Sequence, residues 1–303
     1  MYSKIESIEN YEYDEDVYNL HIEDNHNYFA NNILVANCHE AKAASITSII
    51  NKLPDAKFRY GFTGTLQDAK THELQLKGLF GNVHKTTTTK QLMDNGTITT
   101  LKIEALVLKY PKEELKYFHR NCKDYDSEIK FITSHKKRNE FIIKTAMELE
   151  NNVMVIFNFV DIQGNVLYDI AKNMEKEYNK QVFYIHGDVK IEERERIRLL
   201  VGEHDNVVII ASSGCFRQGI NMPRLHHAIF AHPYKAKIRT LQTIGRVLRK
   251  NAGKDIATII DIADDLRYNK IVNTTFKHYI ARLKIYDNEQ FNCVLINKQI
   301  TDT

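Results

Sequence analysis

The sequence predicts an α/β fold, a parallel sheet with helices on both faces. Between residues 153 and 260, five short runs rich in β-branched residues alternate with segments of helical periodicity. Those runs are apolar almost throughout, the pattern of strands buried on both faces rather than one. In such a sheet, ligands lie beyond the carboxyl ends of the strands, so the residues after each run are where chemistry is expected.

Taken in order, the chain opens with a polar stretch that turns apolar at Ile33-Leu34-Val35 and stops abruptly at Asn37. Residues 40–53 space Ile46, Ile49, Ile50 and Leu53 as one helical face, and Pro54-Asp55 breaks it. Phe58 to Phe62 reads as a short strand before Thr63-Gly64-Thr65, and a helix is expected over 71–79, ending near Gly81. Residues 101–110 alternate through Leu101, Ile103, Ala105 and Val107, as a strand or an extended linker. Residues 125–150 read as helical. Strands are then expected at 153–157, 182–185, 207–210, 227–230 and 256–260, with helices at 162–178, 190–201 and 237–250 between them. The tail, 264–290, reads as helix, with a last strand at 291–296.

The 303 residues are 43% hydrophobic and 27% charged, which leaves room for two domains with cores. No apolar stretch reaches the length of a membrane span, no signal peptide is expected, and a cytoplasmic location follows as the expectation. The four cysteines, Cys38, Cys122, Cys215 and Cys293, form no CxxC pair, so neither a zinc site nor a disulfide framework is expected, and no metal site is assigned. Charge is uneven. Residues 1–37 hold one lysine against eight acids, net −7, which leaves +10 for residues 38–303 of a total of +3. Asp14-Glu15-Asp16 is either a solvated turn or part of a surface that steers a basic partner.

Asn37 followed by Cys38 can do chemistry on its own backbone. The Asn side-chain amide can attack its carbonyl carbon, form a succinimide and cut the chain before Cys38, and the Cys38 thiolate can accept an acyl group first. The dipeptide alone is weak. However, residues 17–37, with His26-Asn27-Tyr28 before the apolar run, resemble the C-terminal block of inteins: a strand, a His-Asn-aromatic turn and a strand ending in the scissile Asn. The resemblance implies Asn37 as the cyclising residue, Cys38 as the first residue after the intein, and His26 as the proton-transfer histidine. Ala36 stands where the block usually has His, and Asn32 where it usually has Gly. With no N-terminal splicing block upstream, residues 1–37 are expected to be the C-terminal half of a split, Hint-type intein, small and all-β.

The remainder carries a second resemblance. Thr63-Gly64-Thr65, the strand 153–157 with Asn158-Phe159, His186-Gly187-Asp188, Gly219 to Pro223, and Gln242-Thr-Ile-Gly-Arg246-Val-Leu-Arg249 stand in the order of the superfamily-2 helicase motifs. The last of these, QxxGRxxR, is specific; the tripeptides alone are not. On a helix Gln242, Arg246 and Arg249 share one face at spacings of four and three, and two guanidiniums so placed can clamp phosphate oxygens. The resemblance, strongest to T4-type phage helicases, implies a RecA-like second lobe at 101–303 and the end of a first lobe at 38–100. It implies Arg246 and Arg249 as arginine fingers, with Gln242, Gly219, Asn221 and His39 at the nucleotide. Thr63 and Thr65 are implied to couple hydrolysis to lobe movement, and Asn158, His186 and Gly187 to face DNA. Asn221 departs from the pattern, standing near the ribose where many relatives have Asp.

No GxxxxGK[ST] phosphate loop is present, and the acids that would hold Mg²⁺ are absent. Cys38-His39 fits the second half of an Asp-Glu-Cys-His box. The expected partner is therefore a chain carrying the phosphate loop, Asp-Glu and the other intein half, with ATP and Mg²⁺ used only after splicing. The isolated chain is expected to lack ATPase activity. Lys136-Lys137-Arg138, and Lys235, Lys237 and Arg239, are either phosphate contacts or a solvated surface. Two alternatives remain: a splicing-inactive fragment that binds DNA or a partner, and a truncated reading frame of a contiguous intein.

Overall fold

The computed structural model describes residues 27–30, 33–36, 74, 77, 78, 80–82, 84–217, 222, 224–234, 244, 245, 247, 250 and 254–300; for 27–30, 33–36, 216 and 217 it describes the backbone only. The chain divides into two compact units, Met1–His84 and Lys85–Thr303.

In the first unit, β1 (Asn27–Ala30) and β2 (Ile33–Ala36) form an antiparallel hairpin, with Asn27 opposite Ala36 and Ala30 opposite Ile33. The sequence places a turn at His26-Asn27-Tyr28; instead Asn27 and Tyr28 belong to a strand.

The second unit is a seven-stranded sheet in the order β5-β6-β4-β7-β8-β3-β9, every neighbouring pair parallel. Its elements in chain order are α1 (Thr89–Asp94), β3 (Thr100–Lys109), α2 (Lys112–Asn121), α3 (Tyr125–Ser134), α4 (Lys136–Glu148) and β4 (Asn152–Phe157). A π turn, Val160–Gly164, then runs into α5 (Asn165–Met174), followed by β5 (Gln181–Ile185), α6 (Ile191–Glu203), β6 (Val207–Ser212) and α7 (Ser213–Arg217). The last are β7 (Leu225–Phe230), β8 (Ile256–Asp265), α8 (Thr274–Asn288) and β9 (Asn292–Gln299). Alternate residues of each central strand feed two cores. Met154 and Ile156 of β4 and Ile209 and Ala211 of β6 pack on one face; Val153, Val155, Phe157, Val208 and Ile210 pack on the other. Burial on both faces is why these strands read as continuous apolar runs.

Three segments differ from their sequence reading. A fourth, residues 100–109, is the strand of its two expected forms, lying between β8 and β9. Residues 112–121 form a helix that periodicity did not announce, because only Phe118 of it is buried. The expected helix 125–150 is two helices broken at His135, whose extended backbone ends α3 and whose ring accepts the Arg138 N–H at 3.2 Å, capping α4. The strand at 256 runs on to Asp265, so the tail helix starts at Thr274 rather than 264. Asp261 and Asp264 interrupt its apolar pattern, yet both are buried because each meets a buried arginine.

Helix α8 starts where it does because Glu128 of α3 caps it. The Glu128 carboxylate accepts from the Thr274 N–H (3.0 Å), the Thr275 N–H (2.7 Å), the Thr275 hydroxyl (2.6 Å) and the Asn273 amide (3.1 Å). A buried carboxylate satisfies the helix's free donors and complements its dipole.

Candidate functional site

The strand order reverses at β4: β6 and β5 lie on one side, β7 and β8 on the other. That reversal opens a crevice at the carboxyl ends of β6, β4 and β7, the standard ligand position of a parallel sheet. Asn158 follows β4 there. The Ser213 hydroxyl, just past β6, donates to Asn158 Oδ1 at 2.5 Å. On the other side, Gln163 in the π turn donates to the Ala231 carbonyl, one residue past β7, at 3.0 Å. The loop after β4 is thus tied to the exits of both neighbouring strands. Gly164 ends this loop because nothing larger fits: a Cβ would lie 2.4 Å from the Phe157 ring and 2.6 Å from the Tyr184 hydroxyl.

His186 and Gly187 follow β5 on the same edge. Arg194 of α6 donates to both of their carbonyls, at 3.1 and 2.7 Å, and so fixes the loop. The His186 ring lies 4.6 Å from that of Tyr184, which stacks on Tyr168 at 4.9 Å and 11°. The Tyr184 hydroxyl donates to Asn165 Oδ1. Burial, with Asp161 and Asp169 nearby, pushes the Tyr184 pKa up to about 12, so it stays a neutral donor. Gly187 is exposed, leaving open backbone beside a fixed imidazole. Three of the residues assigned to DNA, Asn158, His186 and Gly187, therefore share one edge. Arg194, Ser213 and Gln163, which hold them, escaped the sequence reading; the one available signal was a strand end followed by polar residues.

Arg138 requires a correction. It is fully buried, not a surface phosphate contact. Its guanidinium grips Asp264 through Nε to Oδ1 (2.7 Å) and Nη2 to Oδ2 (3.0 Å), and Nη1 donates to the Ala231 carbonyl at 2.8 Å. Tyr110 donates to the same carboxylate at 2.6 Å. Burial opposes the charge on Arg138, but Asp264 and Tyr110 outweigh it and raise its pKa. A second clamp repeats the design: Arg282 grips Asp261 at 2.8 Å through both Nε and Nη2 and donates to the Tyr234 carbonyl at 2.5 Å, while Tyr286 donates to Asp261. Together the two clamps fix the exit of β7 at Ala231 and Tyr234.

Lys136 and Lys137, by contrast, are exposed at the amino end of α4. Among the described residues Lys136 pairs with Glu140, at 3.8 Å, an open pair that contributes little. Arg138, next along, touches the residue after β7, so both lysines lie near the carboxyl edge of the sheet. Beyond β7, Ile244, Gly245 and Val247 are helical, with Ile244 and Val247 buried. His26, Asn37, Cys38, His39, Thr63, Thr65, Gly219, Asn221, Gln242, Arg246 and Arg249 lie outside the described residues, as do Lys235, Lys237 and Arg239. Among the described residues, no group of three or more His, Cys, Asp or Glu is placed to hold a metal ion, and no helix is long and apolar enough to cross a membrane.

Comparison with known proteins adds the lineage. Residues 104–251 match the helicase conserved C-terminal domain. The chain is 40% identical over 274 residues to the ATP-dependent DNA helicase UvsW of enterobacteria phage T4, covering 85% of this chain and 53% of that protein. The crystal structure of T4 UvsW superposes with a TM-score of 0.57 at 36% identity, over 88% of this chain and 53% of that one. A DNA-bound type ISP restriction-modification enzyme, LlaBIII, shares the fold at 14% identity, with a TM-score of 0.52 over 75% of this chain and 17% of that one. The chain thus spans about half the length of UvsW. The parallel sheet and its edge form a RecA-like helicase C-terminal lobe that resembles that of the phage T4 superfamily-2 helicase.

Proposed function

We propose that this chain supplies the second motor lobe of an ATP-dependent DNA helicase or branch-migration enzyme, and that protein splicing in trans joins it to the half that holds the phosphate loop. The observation that carries the motor assignment is the helicase domain over residues 104–251 together with 40% identity to UvsW. ATP bound by the partner half, with Mg²⁺, supplies the phosphoryl group that hydrolysis releases. Arg246 and Arg249 stabilise the charge that develops, and Gln242 orients the nucleotide. Helical spacing sets positions 242, 246 and 249 opposite 244 and 247, and it is Ile244 and Val247 that are buried. His39, Gly219 and Asn221 complete the nucleotide contacts, and Thr63 and Thr65 relay the state of the site between lobes. DNA runs along the carboxyl edge past Asn158, His186 and Gly187, with Lys136 and Lys137 on its phosphates.

Splicing rests on the block from Val17 to Asn37 followed by Cys38. The Cys38 thiolate attacks the thioester or ester that links the upstream segment to the partner intein's own Cys or Ser, takes the acyl group as a thioester and releases that thiol or hydroxyl. The Asn37 amide nitrogen then attacks its own carbonyl carbon, the 37–38 bond breaks, and His26 assists the proton transfers. The freed Cys38 amine captures the acyl group from sulfur, leaving an ordinary peptide bond and a free thiol.

The test is to mix the purified chain, reduced, with the partner half and follow mass. Wild type yields a ligated product and a released intein. Asn37→Ala stalls as a branched, thioester-linked species; normal ligation by that variant refutes the assignment. Two unaltered polypeptides from the wild-type mixture leave only a lobe that binds DNA or a partner, the outcome to which Ala36 in place of His points.

A further inference from the structure

We propose that the carboxyl ends of β8, β3 and β9 form an additional DNA subsite, which takes backbone phosphate from a single strand already held at the β4 and β5 exits. It rests on the DNA-binding part of the reading above and is independent of splicing.

The final row of the sheet builds the floor. Lys109 ends β3 in register with Asp265 of β8 on one side and Gln299 of β9 on the other. Above them opens a cavity of about 410 Å³, whose walls include Arg267, Tyr268 and Lys270. Three cations therefore face one acid. Arg267 takes up that acid in a bidentate pair, Nε to Oδ1 and Nη2 to Oδ2 of Asp265, both 2.7 Å. Neither Lys109 nor Lys270 has an ion pair to a carboxylate among the described residues, so the cavity keeps an excess of positive charge.

The loop that presents Lys270 is built for projection. The Tyr268 and Ile271 backbones bond to each other in both directions, 3.2 and 2.9 Å, closing a turn whose two central residues are Asn269 (φ 47°) and Lys270 (φ 66°). A type I′ turn asks for left-handed backbone at both positions, and lysine is an uncommon choice for it. The Tyr268 ring packs 5.7 Å from His119, half-buried and at the cavity wall, where a base can stack.

Position on the edge identifies the occupant. β3 is three strands from β4, through β7 and β8, or about 14 Å at the usual strand spacing. An extended single strand, opened to roughly twice the 3.4 Å rise of a duplex strand, covers that distance in about two to three nucleotides. The cleft has room for a phosphate and its sugar, and lysines recognise the phosphate as point charges without reading sequence.

The experiment uses the full chain in anisotropy titrations with labelled oligothymidylates, a dinucleotide and a 12-mer, over a salt series. Lys109→Gln/Lys270→Gln is compared with wild type and with Lys298→Gln, an exposed lysine of β9 that does not line the cavity. The expected result is a loss of about tenfold in 12-mer affinity for the double variant. Its log–log salt slope should also be shallower by about 1.4, the value for two single-strand phosphate contacts. Dinucleotide binding and the Lys298→Gln variant should be unaffected, and circular dichroism should be that of wild type. An unchanged affinity and slope in the double variant overturns the subsite and leaves DNA binding at β4 and β5 intact. Wild type that binds no oligonucleotide overturns both. Competition by inorganic pyrophosphate, with a mutant effect equal for dinucleotide and 12-mer, marks a site for free phosphate and also overturns it.

Discussion

Replacing Arg138 by Met separates a buried clamp from a surface DNA contact. The methionine side chain would keep much of the aliphatic volume but remove three hydrogen bonds, two to Asp264 and one to the Ala231 carbonyl. Asp264 would then be buried with only the Tyr110 hydroxyl as partner. Removing one member of a buried ion pair costs about 3–5 kcal/mol, because the remaining charge has lost its compensation. With a urea dependence of about 3 kcal/mol per molar, the unfolding midpoint should fall by roughly 1–1.7 M. The assay is urea unfolding followed by far-UV circular dichroism and tyrosine fluorescence, since the chain has 16 tyrosines and no tryptophan. Arg138→Met/Asp264→Leu removes the orphaned charge as well and should recover at least half of the loss. A single variant that loses less than about 1 kcal/mol while its DNA affinity drops would refute the argument, since that is how an exposed phosphate contact behaves.

Three further outcomes follow from the same packing. Glu128→Ala strips the start of α8 of its four-donor cap and should cost about 2–4 kcal/mol, with faster amide exchange at Thr274 and Thr275; unchanged exchange there would show that α8 does not need this cap. Gly164→Ala is a test of sign. Its backbone (φ −58°, ψ −50°) is helical and by itself favours Ala by about 0.5–1 kcal/mol, but the Phe157 ring at 2.4 Å should turn that into a net loss of about 1–3 kcal/mol. A more stable Gly164→Ala protein would mean the ring yields freely. His227 has its pKa lowered to about 4, first by burial and then by His226 and Lys180. Between that value and about 6.5 the unfolded chain binds the extra proton, so stability present above pH 6.5 is lost as pH falls toward 4, by at most about 3 kcal/mol. His227→Gln should flatten that stretch of the stability profile measured by urea unfolding, and an equal slope in both proteins would exclude His227 as its source.

Strands β4 and β6 were legible because burial on both faces leaves an unbroken apolar run, a signal that needs no partner to be seen; β5 at the sheet edge and β7 with His226 and His227 carry shorter runs of the same kind. The positions of Asn158, His186 and Gly187 at strand ends were legible for the same reason. The far half of β8 was not: Asp261 and Asp264 look like the start of a polar helix until Arg282 and Arg138 are brought to them. The break at His135 was also hidden, since an imidazole capping a helix leaves no periodic trace.

From the sequence alone came the strand sequence of a parallel sheet, the order of the helicase-like motifs and the resemblance on which the splicing proposal rests. Those are local: they depend on side-chain pattern and on residues adjacent in the chain. Tertiary structure alone decided which charges are interior. Lys136, Lys137 and Arg138 are indistinguishable as a basic run, yet the third is gripped by a carboxylate 126 residues away while the first two face solvent. A charge is tolerated inside a protein only when its partner arrives with it, and that arrival is a property of the fold, not of the run.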